Sequence, residues 1–289
     1  MKSNRSAGRI LLVRKWLSRG LLYLVLIVFT IPFIYPFLWM FSSAFKNMSE
    51  VFKFPPTLIP TTLNLQNFTA VWQYVPFGIN YLNSLYIAVL VTLGTLFISS
   101  LAGYAFARIP FKFSALIFMV LLTAMMMPDE VTIVPNFLFM SALHFLDSHI
   151  PLIIIPILGS SGVLATFIMR QTYLNLPKEI EDAAMLDGLG RFGIYWRIAI
   201  PMATPALAAV AILTFLTSWN LYLQPLIYLT KRNLWTLPLA LTGITDEYGN
   251  PIWNVQFAAT TMAVLPILIL YFAAQRKVVE SFSLSGTKG

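Results

Sequence analysis

Long apolar runs alternate with short polar segments along this chain, and six of the runs are about 20 residues or longer. A helix needs about 20 mostly apolar residues to cross the hydrocarbon core of a bilayer. The pattern lacks the ten-residue alternation of barrel strands, so helices are the way to satisfy the backbone in lipid. It predicts an all-α membrane protein with six transmembrane helices, at about Leu21–Ser43, Tyr81–Ala107, Ser114–Pro135, Ile150–Met169, Thr204–Leu229 and Val255–Gln275.

Composition agrees with a lipid environment. Of the 289 residues, 58% are hydrophobic and only 10% are charged, whereas about a quarter of the residues of a soluble domain are charged. The absence of cysteine excludes disulfides and thiol chemistry. The first apolar run is too long for a signal-peptide core of about 7–15 residues, so we expect it to remain as the first span.

The basic residues predict the orientation in the membrane. If the N-terminus is cytoplasmic, fifteen of the 19 Lys and Arg residues fall inside, and the four outside are Lys46, Lys53, Lys231 and Arg232. This asymmetry follows the positive-inside rule, so both termini are predicted to be cytoplasmic. Every Asp and Glu can be placed in a loop or at the end of a span, which argues against a proton-coupled carrier or pump.

The polar segment Pro177–Gly190 carries the strongest functional signal. Pro177 suits the first turn of a helix, and the acids that follow lie near the positive end of its dipole. Ile180, Ala183 and Ala184 share one small apolar face. Gly188 and Gly190 are predicted to end the helix. The segment is therefore either a docking site for a partner or simply a solvated surface helix.

The sequence resembles the permease subunits of ABC importers in this segment, through Glu181-Asp182-Ala183-Ala184, Asp187-Gly188 and the downstream Pro201 and Pro205. The likeness runs from the first span to the C-terminal segment Ala274–Gly289, and it is specific to the shorter of the two membrane subunits of the carbohydrate (maltose-type) importers. It implies the type I permease fold. Asp182 stands where this family usually has Glu, which keeps the charge and shortens the reach.

This resemblance implies a division of roles along the chain. The residues implied to couple the chain to an ATPase are Glu181, Asp182, Ala183, Ala184, Asp187, Gly188 and Pro201. Residues 1–19 are then a cytoplasmic arm, 20–277 a transmembrane domain with a coupling loop at 175–200, and 278–289 a cytoplasmic tail, of which Ser285–Gly289 resembles an extension that reaches the ATPases.

The family resemblance also implies which partners and cofactors belong to this chain. The partners are a second permease subunit, two ATPase subunits, an extracytoplasmic substrate-binding protein and membrane lipid, without nucleic acid. The sequence has no Gly-rich phosphate loop followed by Lys-Ser or Lys-Thr, so no cofactor is expected on this chain. ATP and Mg belong to the partner ATPases, and the chain is expected to be a non-enzymatic subunit in the bacterial inner membrane.

Uncharged polar and aromatic side chains within the spans are candidates for a sugar path, because sugars present hydroxyls and apolar ring faces. The candidates are Trp219, Asn220, Tyr222 and Gln224, with Asn83 in the second span. Pro225 is predicted to break the fifth span. The alternative is that the amides bond to neighbouring helices and the aromatic rings pack. Met125, Met126 and Met127 are interpreted as packing residues.

Two outer segments have other possible roles. Asp246, Tyr248 and Trp253 lie in the last outer loop, which in the resembled family contacts the binding protein; a plain surface loop is the alternative. His144, Asp147 and His149 have a spacing that can ligate a metal, but no further ligand is apparent, so no metal or catalytic site is predicted.

Three other functions are compatible with the pattern. One is an ABC permease for an acidic oligosaccharide, such as an alginate-type polymer, or for a sugar phosphate. The second is a membrane scaffold that transports nothing, and the third is a membrane enzyme that uses the His144 loop. The predicted function remains the permease subunit of an ATP-driven importer of sugars or oligosaccharides.

Overall fold

The computed structural model describes the backbone of residues 3–285 and the side chains of residues 16, 18–273 and 275. These residues form helices joined by loops, without a β-strand, as predicted for an all-α protein. The helices are α1 Ser3–Ser43, α2 Met48–Val51, α3 Gln66–Tyr74, α4 Phe77–Arg108, α5 Ser114–Met125, α6 Asp129–Ala142, α7 Ile150–Leu158, α8 Ser160–Leu174, α9 Lys178–Leu186, α10 Arg191–Ile194, α11 Ile200–Met202, α12 Thr204–Trp219, α13 Leu223–Tyr228, α14 Leu237–Leu241 and α15 Trp253–Ser285.

Four helical stretches in the described residues are long and apolar enough to cross a membrane: Ser18–Ser43, Phe77–Arg108, Ile150–Leu174 and Trp253–Ala273. Two bent helix pairs raise the number to six if each pair is counted as one span. The predicted tail 278–289 continues α15 as far as Ser285. Its last four residues, 286–289, which make up most of the predicted extension, lie outside the described residues.

The predicted third span, Ser114–Pro135, is not one straight helix. Helix α5 ends at Met125, α6 begins at Asp129, and the two axes differ by 100°. Pro128 explains the break, because proline lacks an N–H and disfavours helical geometry in the residue before it. Met126 and Met127 lie at the break and are exposed within this chain, as is Met125.

The predicted fifth span, Thr204–Leu229, is also interrupted, and at a different place from the one predicted. Helix α12 ends at Trp219 and α13 begins at Leu223, whereas the break was expected at Pro225. The Asn220 amide donates to the carbonyl of Leu216, 2.8 Å away, and such local bonds compete with a continuing helix. Pro225 lies in the first turn of α13, where its missing N–H is not needed.

The chain forms two compact units. The first is organised by buried polar side chains, and the second contains a buried apolar cluster. The first comprises the residues up to Val71 together with Asp246–Met262. Asn67 organises it, because its amide donates to the carbonyls of Ala44 and Lys46 at 2.9 and 2.8 Å and accepts from the amide of Asn254 at 2.8 Å. Lys46 is fully buried, and desolvation lowers its pKa.

The second unit, Trp72–Thr245 with the residues from Ala263 onward, is built on the contact between α4 and α8. Gly103 allows a close approach at this contact. A Cβ placed on Gly103 would lie 2.7 Å from the Cβ of Met169 and 2.9 Å from the backbone nitrogen of Arg170. Tyr104, Met169 and neighbouring apolar residues form the buried cluster around it.

Candidate functional site

The predicted docking segment forms helix α9 and a closed turn. Its C-terminus is a Schellman motif, in which Gly188 N–H donates to Met185 O at 3.1 Å and Leu189 N–H donates to Ala184 O at 3.0 Å. Gly188 has a φ of +84°, a left-handed conformation that costs little only for glycine. Asp187 is the exposed C-cap residue. The predicted end of the helix is therefore confirmed at Gly188, whereas Gly190 is the N-cap residue of α10.

An ion pair attaches α9 to the end of α4. The Arg108 Nε lies 3.2 Å from the Glu181 Oε1, and the two side chains are 4% and 12% exposed. Arg108 also donates to the carbonyl of Leu176, and Arg191 donates to the carbonyl of Arg108 at 3.1 Å. Glu181 is thus bound within the chain, where it anchors the helix.

The rest of α9 divides between an inner and an outer side. Ala184 is buried, whereas Ile180, Asp182 and Ala183 are exposed. The small apolar face that the spacing predicted is therefore split: Ala184 packs inward, and Ile180 with Ala183 remains accessible beside the Asp182 carboxylate. Glu179, Met185 and Leu186 are exposed on α9 as well, so its accessible surface combines acidic and apolar side chains.

The segment after α9 is anchored in the second unit. Tyr195–Ala199 forms a π-helical turn, and its Tyr195 hydroxyl donates to the Ser100 hydroxyl of α4 at 3.0 Å. Ser100 in turn contacts the Tyr173 hydroxyl of α8 at 2.6 Å. Pro201 is exposed in α11, before the 75° bend into α12. Loop 175–200 is thus connected to two long helices by buried hydroxyl groups.

A cavity of about 210 Å³ lies in the second unit where three helix interruptions meet. Met127 belongs to the break between α5 and α6, Gly159 separates α7 from α8, and Leu221 belongs to the break between α12 and α13. At membrane depth, irregular backbone is tolerated where it is buried in protein or lines a water-filled cavity. The three breaks therefore mark this cavity as a candidate translocation site.

The cavity wall is rich in hydroxyl and amide groups. Asp129 supplies one carboxylate, and its Oδ1 accepts a hydrogen bond of 2.7 Å from the Ser160 hydroxyl. Asp129 and Glu130 lie at the break inside the predicted third span, so that span does not fit the prediction that every Asp and Glu lies in a loop or at the end of a span. Ser218 is 5% exposed, and its hydroxyl has no hydrogen-bond partner among the described residues. The polar lining residues are Asp129, Thr132, Asn136, Ser160, Ser161, Thr214, Thr217, Ser218 and Gln224.

Of the path residues predicted from the sequence, Gln224 lines this cavity. Trp219 is buried, with its ring against those of Tyr81 and Phe215, so the alternative of simple packing describes it. Asn220 is exposed and bonds to its own helix. Tyr222 is exposed and does not belong to the cavity wall.

Asn83, a predicted path residue, does not line this cavity and bonds within the chain. Its amide donates to the carbonyls of Asn233 and Trp235 at 2.9 and 3.1 Å. Asn80 holds Trp235 O and Arg232 O in the same way, at 2.9 and 2.8 Å. The N-terminal part of α4 therefore fixes the loop 232–235.

The segment that contains His144, Asp147 and His149 bonds to Thr230 and Leu234, just before and within the same loop. The Asp147 carboxylate accepts from the backbone N–H of Thr230 at 2.7 Å, and this bond lowers the pKa of Asp147. His149 contacts the carbonyl of Leu234 at 2.6 Å. Within the described residues, no group of three His, Cys, Asp or Glu residues is close enough to hold a metal ion.

The last outer loop is closed around Asp246. Its carboxylate accepts from the backbone N–H groups of Tyr248 and Asn250 at 2.9 and 2.8 Å. The Asn250 side chain also bonds to it and is the main reason that the pKa of Asp246 is lowered. Tyr248 is 89% exposed, and Trp253 is partly exposed. Asp246 thus shapes the loop, and Tyr248 projects from it.

Sequence reasoning missed most of the cavity wall. Asp129 and Ser160 are the first residues after two helix breaks, and a signal was present in each case: a polar side chain directly after Pro128 or Gly159, inside an apolar run. Thr214 and Ser218 carry no such signal, since single hydroxyls are common in membrane helices.

Comparison with known proteins gives a consistent result. Residues 96–283 match the protein family described as "Binding-protein-dependent transport system inner membrane component". The chain is 34% identical to the arabinooligosaccharides transport system permease protein AraQ of Halalkalibacterium halodurans, over 89% of this chain and 91% of that protein.

A second relative and a solved structure also match over most of the chain. The sn-glycerol-3-phosphate transport system permease protein UgpE of Yersinia pestis is 31% identical, over 89% of this chain and 93% of that protein. A chain in the crystal structure of a bacterial ABC transporter involved in the import of the acidic polysaccharide alginate superposes with a TM-score of 0.76 at 21% identity, covering 96% and 98% of the two chains.

Proposed function

Because the chain belongs to the family of binding-protein-dependent transport system inner membrane components, we propose that it is a permease subunit of an ATP-driven importer of sugars or oligosaccharides. It has six transmembrane spans, of which two are bent helix pairs, and both termini lie in the cytoplasm of a bacterial cell. The carbohydrate class rests on relatives such as AraQ, whose substrate is an oligosaccharide.

The observation that carries this proposal is the exposed surface of α9 on a fixed base. Asp182 and Ala183 are accessible, while Glu181 and Ala184 hold the helix to the rest of the chain. A short acidic and apolar surface suits a cleft lined with cations and apolar groups. The partner at this surface is an ATPase subunit, which binds ATP and Mg; this chain binds neither.

The remaining partners follow from the architecture of such an importer. A second permease subunit completes the translocation path, and two ATPase subunits drive it. The binding protein docks at the outer face, where the Tyr248 loop projects, and lipid surrounds the spans. The cavity of about 210 Å³ is smaller than the roughly 300–1,000 Å³ of a complete small-molecule pocket, which favours one half of a shared path. Nucleic acid has no role.

Helix α4 transmits the movement of the ATPase subunits along the chain. When ATP closes the ATPases, α9 moves with them and displaces Arg108 through the ion pair with Glu181. Because α4 is one continuous helix, its other end moves too, together with the loop held by Asn80 and Asn83. The switch between inward and outward access is then a rigid-body transition of packed helices.

The substitution Asp182→Lys tests the coupling role in the importer reconstituted with its partners. It reverses the charge of the exposed surface, so we expect uptake and binding-protein-stimulated ATPase activity to fall at least about tenfold, which corresponds to a loss of roughly 1.4 kcal/mol of docking free energy. The melting temperature of the isolated chain should stay unchanged, since surface substitutions usually alter stability little.

Glu179→Lys is the matched control, because it places the same charge on another exposed position of α9. It should reduce uptake less than Asp182→Lys does. Normal uptake by the Asp182→Lys importer would refute the docking role of this surface.

A further inference from the structure

The cavity contains a negative charge and no balancing positive one. Asp129 is its single carboxylate, and among the described residues no Lys, Arg or His lines it. The other polar lining groups are hydroxyls and amides. A substrate that carries carboxylates or phosphates would meet a like charge there, and like charges repel.

The carboxylate is available to a ligand. Asp129 is exposed in the free chain, and the hydrogen bond from Ser160 occupies one position on Oδ1. A carboxylate can accept about four hydrogen bonds, so several positions remain for hydroxyl donors. Bonds from neutral hydroxyls to an ionised acceptor are also about twice as strong as bonds between neutral groups.

A second group points to a hydrogen-bonding ligand independently. The Ser218 hydroxyl is buried at the cavity wall without a partner. Leaving a buried polar group unpaired costs free energy, so such groups normally have a partner in the working state. Ser218 and Asp129 lie on α12 and α6, respectively, so the two unused acceptors come from different helices.

Resting on the proposed function, we infer that this cavity selects uncharged saccharides and that Asp129 is the residue that determines this specificity. Sugar hydroxyls donate to the carboxylate, and the same carboxylate repels uronates and sugar phosphates. The chain therefore differs in substrate charge from its relatives that handle glycerol phosphate or alginate.

The test is uptake by the complete importer in proteoliposomes, with its own binding protein. The probes are labelled neutral trisaccharides of arabinose, xylose and glucose, with glycerol 3-phosphate and an alginate trisaccharide as the anionic probes. We expect at least one neutral probe to enter at least about ten times faster than either anionic probe, the ratio expected from one charge-assisted bond. An anionic probe that enters as fast as the neutral ones would overturn the inference. This holds even if cations on the second permease subunit are the reason that the anionic probe enters.

The substitution Asp129→Asn tests whether Asp129 selects the substrate or only stabilises the fold. It removes the charge and keeps the shape, so neutral uptake should fall about tenfold and the ratio of neutral to anionic uptake should fall with it. Glu130→Gln is the matched control, because Glu130 lies in the same helical turn and does not line the cavity. A variant in which all probes slow equally would overturn the inference, since a purely structural role predicts that result.

The two proposals fail in different ways. If no probe enters and the binding protein never stimulates ATP hydrolysis, the proposed importer function is wrong and the inference falls with it. If ATP-driven uptake occurs without a preference for neutral probes, the importer function stands and the assignment of Asp129 fails.

Discussion

Within the same unit, helix α4 is continuous, whereas the helices around the cavity are interrupted. Helix α4 runs without a break for 32 residues, and three of its polar side chains, Asn80, Asn83 and Ser100, bond to other parts of the chain. The pairs α5/α6, α7/α8 and α12/α13 are interrupted, and polar groups at their breaks face a cavity. An unbroken helix transmits displacement, whereas a broken one exposes backbone and side-chain groups that can bind a solute.

The difference shows how polar residues in membrane helices should be interpreted. Asn83 and Ser100 lie on the continuous helix, and both are bound by partners within the chain. Asp129 and Ser218 lie beside breaks, and each retains acceptors that the described residues do not use. The hydroxyls of Thr95 and Ser99 on α4 are also buried without a partner among the described residues. Asp129 and Ser218 are therefore distinguished by their place on the cavity wall as well as by their position beside a break.

The largest effect should come from removing the ion pair that joins α4 to α9. Arg108→Ala leaves the Glu181 carboxylate buried without its cation, and the loss of one partner of a buried ion pair costs about 3–5 kcal/mol. We expect a lower melting temperature of the purified complex and ATP hydrolysis that no longer drives uptake. The same substitution at exposed Arg197 is the control. If transport stays coupled in the Arg108→Ala importer, α4 does not carry the motion.

Closing the space between α4 and α8 should have a smaller effect. In Gly103→Ala the new methyl group would lie 2.7 Å from the Cβ of Met169, so the helices must separate. Overpacking of this kind costs about 1–3 kcal/mol. Gly190→Ala is the control, because nothing lies within 4 Å of a Cβ at that position. Equal melting temperatures for the two variants would show that the close approach is unimportant.

Two serines test the comparison most directly. Ser100→Ala leaves the buried hydroxyls of Tyr173 and Tyr195 without their shared partner, which should cost about 1–3 kcal/mol of stability. Ser218→Ala removes a hydroxyl that bonds to nothing among the described residues, so stability should change by less than about 0.5 kcal/mol while uptake falls. Thermal unfolding and uptake together check this, and a reversed order of stabilities would contradict the distinction.

The smallest effect should be the pH dependence of the loop 230–235. Bonds from Thr230 lower the pKa of Asp147 below its ordinary value of 3.8. A lowered pKa means that the carboxylate stabilises the folded loop above pH 3.8, and that this stabilisation is lost as the pH falls through the folded-state pKa. The protection factor of the Thr230 amide in hydrogen exchange should therefore fall only in acid below pH 3.8, and Asp147→Asn should remove that dependence. Asp246→Asn, in another loop, should leave it unchanged.

The amino-acid sequence by itself determined the class of this protein. Apolar run length predicted helices, and the predicted family resemblance, read from Asp182-Ala183-Ala184, Asp187-Gly188 and Pro201, is confirmed by the family match. These signals are local: hydropathy over about 20 residues, or a short segment whose glycine must adopt a positive φ. The exact number of spans and the cytoplasmic termini stay predictions.

Only the tertiary structure decided which polar groups share a site. Trp219, Asn220, Tyr222 and Gln224 are close in sequence, yet Gln224 alone among them lines the cavity. Asp129, Ser160 and Ser218 come from three helices and meet there. The physical reason is that a helix break rotates and displaces everything after it, so the direction of a side chain depends on breaks and long-range packing that no local pattern contains.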